Sequence, residues 1–316
     1  MRTILAPRAS AILYDLVSAQ DRARPFLLPA NICPIVPITF LKAGAAFEFV
    51  DISADSLLMD LDQVETRLRL GDGAYGGLLY AHTYGDLHTP HDYLRRLKER
   101  WPELLIIDDR CLCPPDLEPD EAQQSDVTLY STGHAKIADI GFGGYAFVSD
   151  PVSVRHAALP FQQTDLVALE ADYEARVSAG EPFVYRDSPW LHTDAKLPAW
   201  KDYAGRVRKA SAESVAHRQS INAVYNSLIP PDLRLPDRFQ LWRYSVRLAD
   251  KTSALKEIFA AGLFASSHYA SLVGIMGSGS GAHARALADH VVNLFNDSHY
   301  TTAMAENTAR IILRNA

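Results

Sequence analysis

The stretch Leu104-Leu105-Ile106-Ile107-Asp108-Asp109-Arg110 runs four apolar residues straight into two carboxylates. An apolar run with no polar alternation reads as a strand covered on both faces, the pattern of a mainly parallel sheet. Further strand candidates flank it at residues 26–28, 47–51, 77–82, 127–131 and 145–148, most of them continuous apolar runs. Between them stand helical periods. Ala9, Ile12, Leu13 and Leu16 share one face, Leu61, Val64 and Leu68 another, and residues 91–100 form a basic amphipathic helix. This alternation predicts an α/β fold, a mainly parallel sheet flanked by helices. Ligands of such folds sit beyond the carboxyl ends of the strands.

After Asp150 the texture changes. Residues 151–200 carry prolines, aromatics and polar residues without a clean period and read as long loops and short helices. A helix is expected over 202–228, stopped by Pro230-Pro231, then a strand over 242–248 and a helix over 253–261. Two closing helices are expected near 282–295 and 301–314, with the glycine-serine run from Gly277 to Gly281 as a flexible loop. The division that follows is a large domain, 1–200, and a smaller C-terminal α+β domain, 201–316.

The 316 residues are 48% hydrophobic and 22% charged, which excludes disorder and suits a globular enzyme. Lys and Arg total 31 against 38 Asp and Glu, a net charge of -7 that argues against a nucleic-acid coat. No apolar run is long enough to span a bilayer, and Arg2, Arg8 and Asp15 break the start as a signal peptide. Cys33, Cys111 and Cys113 cannot build a disulfide framework and fit a reducing compartment, so a cytoplasmic location is expected.

Two features carry chemistry. Asp108 and Asp109 end a buried strand, where a carboxylate is costly unless a cation or several donors meet it; alone, they read as a helix cap or a loop salt bridge. Tyr130-Ser131-Thr132-Gly133-His134-Ala135-Lys136 then leads to Gly141-Phe142-Gly143-Gly144. Alone, Lys136 reads as a surface lysine and the glycines as turns; the order is wrong for a Walker phosphate loop. Together they say more. A lysine that forms an imine with a cofactor aldehyde needs a carboxylate to keep the cofactor's ring nitrogen protonated. Ser131 and the backbone N–H groups at a helix start near Arg8, Ala9 and Ser10 suit the cofactor's phosphate.

At these residues the chain resembles the DegT/DnrJ family of pyridoxal-phosphate (PLP) sugar aminotransferases, which have the fold type I aminotransferase fold. Ile107-Asp108-Asp109-Arg110-Cys111-Leu112 falls on the family's Ile-Glu-Asp-Ala-Ala-Gln, and Ser131 through Lys136 on its serine-to-lysine segment. Gly141-Phe142-Gly143-Gly144 falls on Gly-Glu-Gly-Gly at the same spacing. Arg8 to Ile12 sits at the family's helix start, and Ala43-Gly44-Ala45, Val50-Asp51-Ile52 and Ala81-His82-Thr83-Tyr84-Gly85 match further segments.

The resemblance implies Lys136 as the Schiff-base lysine, Asp109 as partner of the pyridinium nitrogen, and Ser131, Ala9 and Ser10 as phosphate ligands. Cys111 would lie under the ring. It further implies a nucleotide-linked keto-sugar substrate, glutamate as amino donor and a homodimer. His82 reads as a core histidine or a substrate residue. His268 and Tyr269 are placed at the substrate mouth by the resemblance and read otherwise as packing. Arg243 suits a substrate carboxylate or a structural ion pair. Cys111 and Cys113 lack the further ligands a metal site needs. The departures are Leu112 in place of Gln, Phe142 in place of Glu, and Cys33 where an aromatic residue often covers the ring. No Asn-Arg-Met segment occurs between 160 and 205, and the phosphate-binding helix lies almost at the chain start. These departures leave two alternatives, another PLP reaction such as dehydration or epimerisation, and a non-catalytic binding protein.

Overall fold

A computed structural model describes residues 1–120 and 123–316. Seven strands form one sheet: β1 (Arg2–Ala6), β2 (Phe26–Pro29), β3 (Phe47–Val50), β4 (Gly77–Ala81), β5 (Leu105–Asp109), β6 (Val127–Ser131) and β7 (Gly144–Val148). Their order is β1-β7-β6-β5-β4-β2-β3. Neighbours from β3 to β6 are parallel, and β7 runs against both β6 and β1. The mainly parallel α/β sheet expected from the apolar runs is therefore present. β5 stands at its centre with all five residues buried.

Helices α1 (Ala9–Ser18), α2 (Ile35–Ala43), α3 (Leu61–Gly71) and α4 (His91–Arg100) connect these strands. Asp60 caps α3 by accepting from the Asp62 and Gln63 N–H groups, and Gly44 ends α2 at φ 68. α1 has no side-chain cap; Arg8, in the capping position, makes no such bond. α2 was not expected. Its β-branched residues and Pro37 mask a helical period, but Pro37 lies in the first turn, where its missing N–H costs nothing.

α5 (Gln163–Ala179) corrects the expectation of long loops and short helices over 151–200: it is a 17-residue helix with just Leu166 and Leu169 buried. So narrow an apolar stripe leaves little periodic signal in the sequence. α6 (Trp200–Leu228) joins two cores. Its start packs Trp200, Tyr203 and Val207 on Tyr130, Tyr145 and Phe147 of the large sheet. Its end sends Ile221 and Tyr225 into the smaller core.

That smaller core lies on a sheet of β8 (Tyr244–Arg247), β9 (Ala265–Ser266) and β10 (Val291–Leu294), ordered β8-β10-β9, with α7 (Lys251–Ala260) and α9 (Thr302–Arg314). The closing helix expected over 282–295 is in fact α8 (Ala282–Ala288) followed by β10. Val291 and Val292 suit either state by pattern; pairing with β8 and β9 decides for the strand.

Tyr269, Leu272, Met276, Ala284 and Leu287 return to the core of the large sheet. The run Gly277–Gly281 is tied to the edge of β3: Phe49 N donates to Ser278 O at 2.9 Å and Ser280 N to Phe49 O at 3.1 Å. Gly279 (φ +145) lies so close that a Cβ there would sit 2.1 Å from Phe49 O. No helix among the described residues is long and apolar enough to cross a membrane.

Candidate active site

At the carboxyl edge of the large sheet lies a cavity of about 460 Å³. Its wall brings together Ala9, Ser10, Asp109, Cys111, Ser131 and Lys136, residues spread over 128 positions of sequence. Strand alternation sends Asp108 and Asp109 to opposite faces. Asp109 is 8% exposed, and its Oδ1 accepts from Cys111 N at 2.9 Å.

Lys136 sits in the loop from β6 to β7. Thr132 N donates to Gly143 O at 3.1 Å and Ile140 N to Thr132 O at 3.0 Å, closing the loop's neck. Ile137 and Ala138 are buried beneath it. Trp242 Nε1 donates to Ala135 O at 3.0 Å, so the small sheet supports the residue before the lysine. No hydrogen bond or ion pair within the protein engages the Lys136 amine among the described residues.

Gly143 and Gly144 let the first turn of α1 approach. Gly143 has φ +92, and its N–H donates to Pro7 O at 2.8 Å. A Cβ on Gly144 would lie 2.4 Å from Ala9 N. The start of α1, which no side chain caps, therefore opens on the cavity beside Ser131 with the positive end of the helix dipole.

Burial, reinforced by Asp109, pushes the Cys111 thiol well above its usual pKa, and burial raises Cys33 as well. Both thiols stand on the cavity wall, where this shift disfavours the thiolate. Cys113 faces elsewhere, its Sγ 3.3 Å from Asp86 O.

The other sequence candidates separate. Tyr269 is on the wall, its ring stacked on Trp242 at 5.9 Å. His82 borders the cavity, but both its nitrogens are engaged: Nδ1 with Asp86 O at 2.6 Å, Nε2 with Asp108 Oδ1 at 2.7 Å. Arg110 Nε meets the other Asp108 oxygen at 2.8 Å, which makes a buried charged cluster behind the strand ends. His82 is thus built into the frame. Arg243 lies off the cavity wall; it pairs with Asp297 at 2.9 Å and stands 3.9 Å over the Phe295 ring. His268 is exposed beside Trp242 and is not on the wall either. The His134 side chain is 94% exposed and turns to Asp139.

The structure adds residues that the sequence reading passed over: Asn31, Glu170, Tyr173 and His192. Glu170 and Tyr173 stand three apart on α5, a helical spacing lost in a segment read as long loops and short helices. For Asn31 the available signal was its place two residues past the end of β2.

A doubly wound α/β chain with a lysine, a carboxylate and an open helix start around one cavity defines a class of site, and solved structures share the fold. A DegT DnrJ EryC1 StrS aminotransferase from Brucella abortus superposes with TM-score 0.71 at 16% identity, covering 99% of this chain and 86% of its own. DesI, solved in the presence of its TDP-sugar product, gives 0.73 at 17% identity over 98% and 79%. Spr1654 from Streptococcus pneumoniae in its PLP form gives 0.71 at 14% identity over 99% and 88%. The chain has the fold of these proteins. No protein-family model matches the sequence, and no curated protein matches it.

Proposed function

We propose that this chain is a PLP-dependent aminotransferase that transfers an amino group from glutamate to a nucleotide-linked keto-sugar, working as a homodimer in the cytoplasm. The observation that carries the reading is the meeting of Lys136 and Asp109 on the wall of one cavity beside the uncapped start of α1. These residues fit the cofactor in chemistry: an unpaired amine for its aldehyde, the Asp109 carboxylate on the cavity wall for its ring nitrogen, and the start of α1 with Ser131 for its phosphate. The close approach at Gly144, which any Cβ would fill, keeps that phosphate cradle open. The nucleotide-sugar substrate is supported by the resemblance and by DesI, a protein of the same fold solved with its TDP-sugar product.

When bound, PLP supplies an electron sink for the pair left at the substrate's amino carbon when its proton departs. Lys136 Nζ would hold the cofactor through its aldehyde carbon and, once released by the donor's amine, would take the proton from the donor's amino carbon and deliver it to that former aldehyde carbon, as general base and acid. Asp109 would hold a proton on the ring nitrogen throughout. Removing that carboxylate is expected to cost several kcal/mol of transition-state stabilisation, at least about a hundredfold in rate. The neutral thiol of Cys111 gives the ring an uncharged neighbour.

The test is reduction by borohydride followed by peptide mapping. The wild-type protein with PLP is expected to retain one adduct, on Lys136, and to form 2-oxoglutarate from glutamate when offered nucleotide-linked keto-sugars. Lys136→Ala is expected to lose both. A Lys136→Ala protein that keeps a fixable adduct and full turnover overturns the assignment. A wild-type protein that takes up no PLP favours the binding-protein alternative.

A further inference from the structure

Glu170 stands where the rest of its helix face is apolar. Leu166, Leu169, Tyr173 and Val177 of α5 face inward at helical spacing, the leucines buried and the other two packed against the core of the large sheet. Glu170 falls on the same stripe, one turn after Leu166, and its half-buried side chain lines the cavity. Charges on the outer side of the helix are met: Asp172 pairs with Arg176 at 3.7 Å, and Arg176 also pairs with Glu181. Among the described residues no hydrogen bond or ion pair within the protein engages Glu170. A carboxylate on an inward stripe gives up part of its hydration, a cost that hydrogen-bond donors offset. Here the cavity is where such donors can arrive.

The position of Glu170 in the cavity indicates their chemistry. From central β5 the phosphate end lies toward β6 and β7, where the start of α1 meets Gly144. Cys33 lies the other way, four residues past the end of β2. Burial dominates at its thiol, and after burial the charges of Lys136, Asp109 and Glu170 all reach it. Glu170 and Cys33 therefore share the part of the cavity away from the phosphate end. Tyr173 follows one turn along α5. Burial, with Cys33 and Glu170 beside it, pushes its phenol up, so the O–H stays intact and can donate. Of the two substrates in the reaction proposed above, glutamate brings two carboxylates, acceptors of like charge that Glu170 repels. A sugar brings hydroxyl groups, which donate to a carboxylate without repulsion.

We propose that the Glu170 carboxylate accepts a hydrogen bond from a hydroxyl of the acceptor sugar, with the Tyr173 O–H donating beside it, and that the pair favours this substrate over the amino donor. This rests on the sugar-aminotransferase reading above. Both substrates enter one cavity, so the effects of Glu170 on them have opposite sign.

The test uses PLP-loaded wild type, Glu170→Gln, which keeps the shape and removes the charge, and Glu170→Ala. Glu174→Gln, which removes a charge from an exposed position one turn on, is the control. The donor half-reaction is read alone, as loss of the bound cofactor's visible absorbance against L-glutamate concentration. The full reaction is read as 2-oxoglutarate formed with TDP- or UDP-linked 4-keto-6-deoxyglucose. In Glu170→Gln the half-saturating glutamate concentration is expected to fall about twofold or more, as for removal of a like charge across a solvated cavity. The KM for the sugar is expected to rise about tenfold or more, as for loss of a hydrogen bond to a charged group. The kcat stays near the wild-type value, the mark of lost binding. Glu170→Ala is expected to shift both substrates in the same two directions.

Two shifts of the same sign overturn the proposal, and a lowered melting temperature beside them would mean that Glu170 only holds α5 in place. A Glu174→Gln protein that matches Glu170→Gln overturns it as well. So does a Glu170→Gln protein that loses a dimer in sedimentation, since the carboxylate would then meet the partner subunit. Wild-type protein that reacts with glutamate and with neither sugar overturns the sugar reading and this proposal together; wild-type protein active on a sugar beside variants of unchanged KM overturns this proposal alone.

Discussion

Gly144→Ala tests how the phosphate end of the cavity is built. Gly144 opens β7 and is paired on both sides, with Ala6 of β1 and Ser131 of β6. An alanine Cβ there would lie 2.4 Å from Ala9 N and 2.6 Å from Ala9 Cα. Both are backbone atoms, so no rotamer change relieves the contact. Ordinary heavy-atom contact is about 3.5 Å, so the start of α1 must retreat by roughly 1 Å. β7 cannot yield instead without breaking ladder bonds on two sides. Overpacking of this kind costs about 1–3 kcal/mol, and at about 2–4 °C per kcal/mol the melting temperature falls by several degrees. The Ala9 and Ser10 N–H groups move with the helix. Weakening a single bond to a charged phosphate, about 1.5–3 kcal/mol, raises the Kd for PLP by about tenfold or more. Thermal melting of the free protein and a PLP titration read the two effects. Gly205→Ala is the control, since an added Cβ in that stretch of α6 meets nothing within 4 Å. A Gly144→Ala protein with the wild-type melting temperature and the wild-type Kd refutes the reasoning.

Two further outcomes are expected. Burial opposes charge on His82, but the Asp108 carboxylate outweighs it and raises the imidazole pKa. Burial likewise opposes charge on Asp108, and His82 and Arg110 outweigh it and lower the carboxyl. The His82 contribution to stability is therefore complete below its unfolded value near 6.5 and is lost as pH rises through the raised folded value. That of Asp108 is present above about 3.8 and lost as pH falls through its lowered one. In urea unfolding across about pH 5 to pH 9, His82→Gln is expected to abolish the alkaline decline and to cost about 3–5 kcal/mol at the acid end; parallel profiles for variant and wild type contradict this. The raised thiols of Cys33, Cys111 and Cys113 are expected to alkylate slowly at neutral pH, with PLP slowing Cys33 and Cys111 further because they line the cavity. Mass spectrometry of iodoacetamide labelling reads this, and a Cys111 as reactive as free cysteine argues against the buried, neutral thiol.

What the sequence determined by itself was local. Short apolar runs, most of them continuous, announced β2 to β7 because a strand covered on both faces leaves little polar alternation, and that pattern is carried by neighbouring residues alone. Asp109, Ser131 and Lys136 were legible for the same reason: each stands at or just past a strand end that the pattern locates. Tertiary structure decided whatever depends on distant partners. Val291–Leu294 is a strand because β8 and β9 flank it, and Gly277–Gly281 is tied down because β3 offers an edge. Arg243 is an ion pair because Asp297 arrives beside it, and His82 belongs to the frame because Asp108 points to the face opposite Asp109. The buried amide of Asn31, with no hydrogen-bond partner on either atom, is the extreme case. Burial and the lack of a partner are properties of everything packed around a residue, and no spacing along the chain records them.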